Sequence, residues 1–143
     1  MPTIDSRRQV PQVLDDVRLY VLIRTDLNSM NRGKACAQAT HAANKCVYDI
    51  RQSGDEWLHE LLRSWEGNRG FGTAVILDGG SGNMMTKIYW NLKDAGHHAA
   101  IVHDSGYPLS DGKFTHQIPV DTCVYVFGEK SRLESFLGNL QLY

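Results

Sequence analysis

The sequence predicts an α/β domain of three layers, α/β/α, on a mixed and mostly parallel sheet of about four strands. Three observations carry this expectation. Short runs of β-favouring apolar residues alternate with longer stretches of helical periodicity. The first run, residues 19–23 (Leu-Tyr-Val-Leu-Ile), is apolar at every position, as a strand buried on both faces requires. The chain of 143 residues, 42% hydrophobic and 22% charged, is long enough to close one core and shows no internal repeat.

Residues 1–16 read as a flexible N-terminal arm, with Pro2 and Pro11 set against regular structure, and residues 17–143 as the domain. The first strand runs into a polar loop, residues 24–33, rich in turn formers. A helix is expected over residues 34–50. Ala35, Ala39, Ala42 and Cys46 recur at helical spacing on one stripe, and Lys34, Gln38, His41 and Lys45 on another. A second helix, capped by Ser53 or Asp55, carries Trp57, Leu61, Leu62 and Trp65 to about residue 65. A strand at residues 73–77 and a helix at 83–94 follow, the helix closed by Gly96. Strands at 99–102 and 123–127 and a helix at 131–137 complete the order. Between the last two strands, residues 104–121 show no period and read as one long irregular loop, a length associated with function or mobility.

The formal charge of −1, from 15 Lys+Arg against 16 Asp+Glu, argues against a broadly basic nucleic-acid binder and leaves room for a local basic patch. No stretch is apolar enough to cross a bilayer, and Asp5, Arg7 and Arg8 with no apolar core do not read as a secretory signal. Cys36, Cys46 and Cys123 contain no CxxC pair, so free thiols and a cytoplasmic location are expected. No cofactor or metal is expected either. His97 and His98 sit on opposite faces of a strand, and no His/Cys quartet exists.

In an open α/β sheet, ligands gather beyond the carboxyl ends of strands, which singles out residues 24–34 and 103–106. Asp104 leaves a β-rich run, so its carboxylate is either held as a reactive group or caps its own turn. Arg32 and Lys34 place two cations at a helix start, where the dipole disfavours them and an anion would be welcome. The GxxxxGK[ST] spacing of a P-loop is absent.

Residues 21–43, VLIRTDLNSMNRGKACAQATHAA, resemble the opening of the peptidyl-tRNA hydrolase 2 family, in which Arg-x-Asp-Leu and a glycine-flanked lysine loop precede an Ala-Ala-Gln-x-x-His-Ala helix. Arg24, Asp26, Leu27, Gly33, Lys34, Ala37, Gln38, His41 and Ala42 match. Residues 100–106 resemble the family's segment ending in Asp-Ala-Gly, and residues 137–143 its closing His-Leu-Lys-Leu-Tyr. The resemblance implies hydrolysis of the ester joining a peptide to tRNA, without a required metal, on a domain that commonly pairs as a homodimer. The family's catalytic positions fall on Arg32, Lys34, Asp104 and, with a one-residue shift, Thr122; without the shift the last falls on Cys123. Arg24, Asp26, Gln38, His41, Lys45 and Lys113 would bind the acylated tRNA, with Asp26 also able to brace its loop. This sequence departs from the pattern at Tyr107-Pro108, where the family carries Arg-Thr, and in the longer segment through Lys113 and His116. An arginine at position 32 supplies a cation and no base. The alternatives are a non-catalytic RNA- or protein-binding module on the same fold, and hydrolysis of another small substrate.

Overall fold

The computed structural model describes residues 16–143; apart from Asp16, the N-terminal arm lies outside the described residues. The elements are β1 (Val17–Arg24), α1 (Arg32–Gln52), α2 (Glu56–Glu66), β2 (Thr73–Gly80), α3 (Gly82–Asp94), β3 (His98–Asp111), β4 (Phe114–Glu129) and α4 (Lys130–Leu137). The sheet is open and mixed, with strand order β2-β1-β4-β3. β1 is central, and its alternate side chains divide between two cores. Leu19, Val21 and Ile23 pack with residues of α1 and α2, while Tyr20 and Leu22 pack with residues of α3 and α4. This two-sided burial explains the uninterrupted apolar run that marks the strand in the sequence.

The expectation of a mostly parallel sheet is overturned. Only β1 and β2 pair in parallel; β1 with β4 and β3 with β4 are antiparallel. The helix alternation does make β1, β2 and β3 run the same way. β4, however, returns directly from β3 through a turn at Gly112-Lys113 and inserts between β3 and β1. Gly112 takes φ 58, the left-handed value that a two-residue hairpin turn needs at its first position.

The irregular loop expected over residues 104–121 is likewise corrected. These residues form a ribbon paired from Tyr107–Ile118 to Asp111–Phe114. Its outer part is exposed on both faces, so no apolar alternation marked it as strand. The hydrogen-bonded ladder makes it regular where hydrophobicity does not.

Side chains cap three helices as their sequences predispose them to: Asn31 Oδ1 accepts from Lys34 N, Asp55 Oδ1 from Trp57 N, and Ser81 Oγ from Met84 N. Helix α1 lies on the sheet through Ala35, Ala42, Cys46 and Ile50, whose small or slender side chains allow close approach. Its far end is fastened by Tyr125 of β4. The Tyr125 hydroxyl donates to Asp49 Oδ2 at 2.7 Å and lies 2.9 Å from His98 Nε2, while Lys45 reaches Asp49 at 3.2 Å. The outer edge of β2 is covered by the last residues, as Asp78 N donates to Gln141 O and Tyr143 N to Ile76 O.

Removing the Tyr125 hydroxyl (Y125F) takes the donor from Asp49 and the partner from His98. A loss of about 1–2 kcal/mol is expected, read as a lower urea midpoint with an unchanged m-value.

Candidate active site

Two irregularities in the β3–β4 ladder build the site. Val102 pairs with Cys123 and His103 with Asp121, so Thr122 is an extra residue without a partner in the register. Such a bulge re-aims side chains, and here both Thr122 and Cys123 address α1. Thr122 Oγ1 donates to Gln38 Oε1 at 2.5 Å, and Cys123 Sγ lies 3.7 Å from Gln38 O. On β3, Asp104 pairs with Val120 and Tyr107 with Ile118, leaving Ser105 and Gly106 opposite Pro119 alone. In a regular strand, residues three apart point to opposite faces. The extra residue lets Asp104 and Tyr107 both contact residues of α1.

The result is an oriented chain of hydrogen bonds. The buried Thr122 hydroxyl donates to Gln38, whose Nε2 donates to Asp104 Oδ2 at 2.7 Å. Asp104 Oδ1 accepts from Gly106 N at 2.9 Å, so the carboxylate also caps its own turn. Partial burial works to raise the Asp104 carboxyl. The Gln38 and Gly106 hydrogen bonds, with His41 and His103 nearby, outweigh it and hold the group below the ordinary carboxylate value.

Lys34 stands one turn before Gln38 on α1. Its Nζ donates to Pro108 O at 2.7 Å and lies 5.0 Å from the centroid of the Tyr107 ring. Tyr107 is fully buried, and its hydroxyl is 2.8 Å from Ser29 Oγ in the loop before α1. Lys34, Gln38, Asp104 and Thr122 are thus linked to the same two neighbouring elements, α1 and the β3–β4 ribbon. His41 is near enough to influence Asp104 while remaining exposed.

The other expected residues lie apart from this group. Arg32 is exposed and lines a groove with Ala35, Cys36, Ala39, Ile76 and Tyr143, on the β2 flank of α1. Arg24 is bidentate to Asp26 at 2.8 and 3.0 Å, and its Nη1 reaches Asp121 O. Asp26 also accepts from Gly82 N, so it braces its loop against the start of α3, and the Arg24 guanidinium lowers its carboxyl pKa. Lys45 pairs with Asp49, and Lys113 occupies the ribbon tip.

Two pairings were not foreseen from the sequence: Tyr107 with Ser29, and His103 with Asp121, Nδ1 lying 2.8 Å from Oδ1. Among the described residues, no group of three His, Cys, Asp or Glu side chains converges as metal ligands. His97, just before β3, packs on Phe136, and His98, its first residue, packs on Tyr125, on opposite faces of the sheet.

Comparison with known proteins places the chain. Residues 17–143 match the family described as Peptidyl-tRNA hydrolase PTH2. A peptidyl-tRNA hydrolase of Pyrobaculum aerophilum is 32% identical over 93 residues, covering 64% of this chain and 72% of that protein. One of Aeropyrum pernix is 36% identical over 87 residues, covering 60% of this chain and 67% of that protein. With the match running from the first residue of β1 to the last residue of the sequence, this chain belongs to the peptidyl-tRNA hydrolase PTH2 family.

Proposed function

We propose that this protein hydrolyses the ester of peptidyl-tRNA, or of a closely related acylated tRNA, releasing the acyl group as a carboxylate and freeing the terminal ribose hydroxyl. The observation that carries the reading is the oriented Thr122–Gln38–Asp104 chain with the Lys34 ammonium one helical turn away. The names of the two relatives support the same chemistry.

Ester hydrolysis needs a water directed at the acyl carbon and a cation or donor facing the oxyanion that forms. Asp104, an ionised acceptor with two of its lone-pair sites already filled by Gln38 and Gly106, has further lone pairs to receive a water O–H. Its depressed pKa makes it a poor resting place for a proton. It therefore orients the water and accepts the proton only in passing, before the departing ribose oxygen takes it. Lys34 uses one of its three donors on Pro108 O, which leaves two for the oxyanion. Thr122 is buried with its hydroxyl directed at Gln38, so it positions Asp104 rather than touching substrate. Lys113, exposed at the ribbon tip, and Arg32, exposed on the β2 flank of α1, are the better phosphate contacts, because Arg24 and Lys45 already face carboxylates.

Asp104→Asn keeps the shape of the side chain and removes the charge. Peptide release from peptidyl-tRNA in the presence of EDTA is expected to fall by about 100-fold or more in this variant, against a readily measured wild-type rate. No release by folded wild-type protein from intact substrate would end this reading and leave the binding-module alternative.

Gln38→Leu tests the electrostatics separately. A depressed carboxyl stabilises the fold fully above its unfolded pKa of about 4, and that contribution fades as pH falls through the lower native value. Losing the Gln38 bond raises the native pKa, so the Asp104 midpoint in a carboxyl-detected NMR titration should move up. The Thr122 hydroxyl, left with the longer 3.5 Å contact to Val102 O, should cost about 1–3 kcal/mol in urea unfolding.

A further inference from the structure

We propose that Tyr107 is the positioning residue for Lys34: its ring and the adjoining Pro108 carbonyl hold the ammonium at the site, and its hydroxyl latches that arrangement to Ser29. The inference rests on the hydrolase reading for its kinetic consequence and on geometry alone for the hold itself.

A lysine head on four methylenes loses considerable rotamer freedom when fixed in one place, so a fixed ammonium needs dedicated contacts. Lys34 has two, supplied by consecutive residues. The Pro108 carbonyl takes a hydrogen bond at 2.7 Å, and the Tyr107 π-face lies 5.0 Å from Nζ, within the range of a cation–π contact. Pro108 has no N–H and sits on an edge strand, where it disturbs no further ladder bond. Tyr107 reaches this place only because the Ser105-Gly106 bulge lets it share with Asp104 the side that meets α1.

The hydroxyl completes a closed circuit. Tyr107 and Ser29 are 2.8 Å apart; two residues after Ser29, Asn31 caps α1 by accepting from the Lys34 backbone N–H. Lys34 is therefore gripped at its backbone through the loop and at its head through the ring, with Tyr107 common to both. The Tyr-Pro pair stands where the family pattern carries Arg-Thr. The hydroxyl lost there is replaced by a device that acts on the lysine and not on the substrate.

The test combines kinetics with direct observation of the ammonium in protein labelled with 15N-lysine, the Lys34 signal being assigned through K34R. In wild type and in Y107F, which keeps the ring, this signal should be slow to exchange and shifted by the ring current. In Y107L it should collapse to the position of a free surface lysine. Peptide release should lose about tenfold in kcat in Y107L with KM changed by less than about twofold, and Y107F should recover most of the loss. If Y107L does not fold, Y107M, which fills the space without a π-face, takes its place in both measurements. A Lys34 signal unmoved in the folded variant overturns the proposal, as does a wild-type kcat. If wild-type protein releases no peptide, the ammonium signal still decides the hold, and the failure belongs to the hydrolase reading.

Discussion

The site depends on the primary amide of Gln38, buried between helix and sheet with both of its ends engaged. An ionised carboxylate can only accept, so Asp104 requires the Nε2 end of that amide. The Oε1 end is then turned toward Thr122, and Thr122 must donate. Reversing the amide would set oxygen against oxygen at Asp104. The charge of one partly exposed carboxylate thus dictates the direction of two hydrogen bonds, the second of them fully buried. The same logic ties helix placement to chemistry, since Gln38 meets Thr122 only while α1 lies close on the sheet. Ala35, Ala42 and Cys46 permit that approach, and Tyr125 and Asp49 fasten the far end.

The ladder irregularities are the second constraint. A regular β3–β4 hairpin would alternate its side chains and could not present Thr122 together with Cys123, nor Asp104 together with Tyr107, to one helix. Each strand gains one unpaired position, and each gain lies beside a residue of the site. The ladder stays hydrogen-bonded on both sides of the bulges, so the side chains are re-aimed from a stiff support.

Much of this was legible in the sequence, for identifiable reasons. β1 announced itself because burial on both faces leaves no polar position, and α1 because its alanines recur at helical spacing. Lys34 stood out at a helix start and Asp104 at the end of an apolar β-favouring run, although the strand continues beyond it. The direction of β4 was hidden, because alternation of strands and helices constrains only strands joined by helices, and β3 and β4 are joined by a turn. Residues 104–121 passed for a loop because a ribbon exposed on both faces has no hydrophobic period. Arg32 was a site candidate as a cation at a helix start on which the family's first loop lysine falls, yet two positions along a helix is more than half a turn, and it lines another flank than Lys34. Tyr107 had no sequence signal of its function, because that function depends on a bulge which only the pairing reveals.

The central claim is that Thr122, Gln38 and Asp104 act as one unit on the ester. A double-mutant cycle on single-turnover peptide release, with Q38L, T122V and the pair, tests it most directly, because both substitutions leave the Asp104 carboxylate itself in place. If Thr122 works only through Gln38, the double variant should be about as slow as Q38L alone. Independent, multiplying losses from the two substitutions would contradict the account and assign Thr122 a separate role.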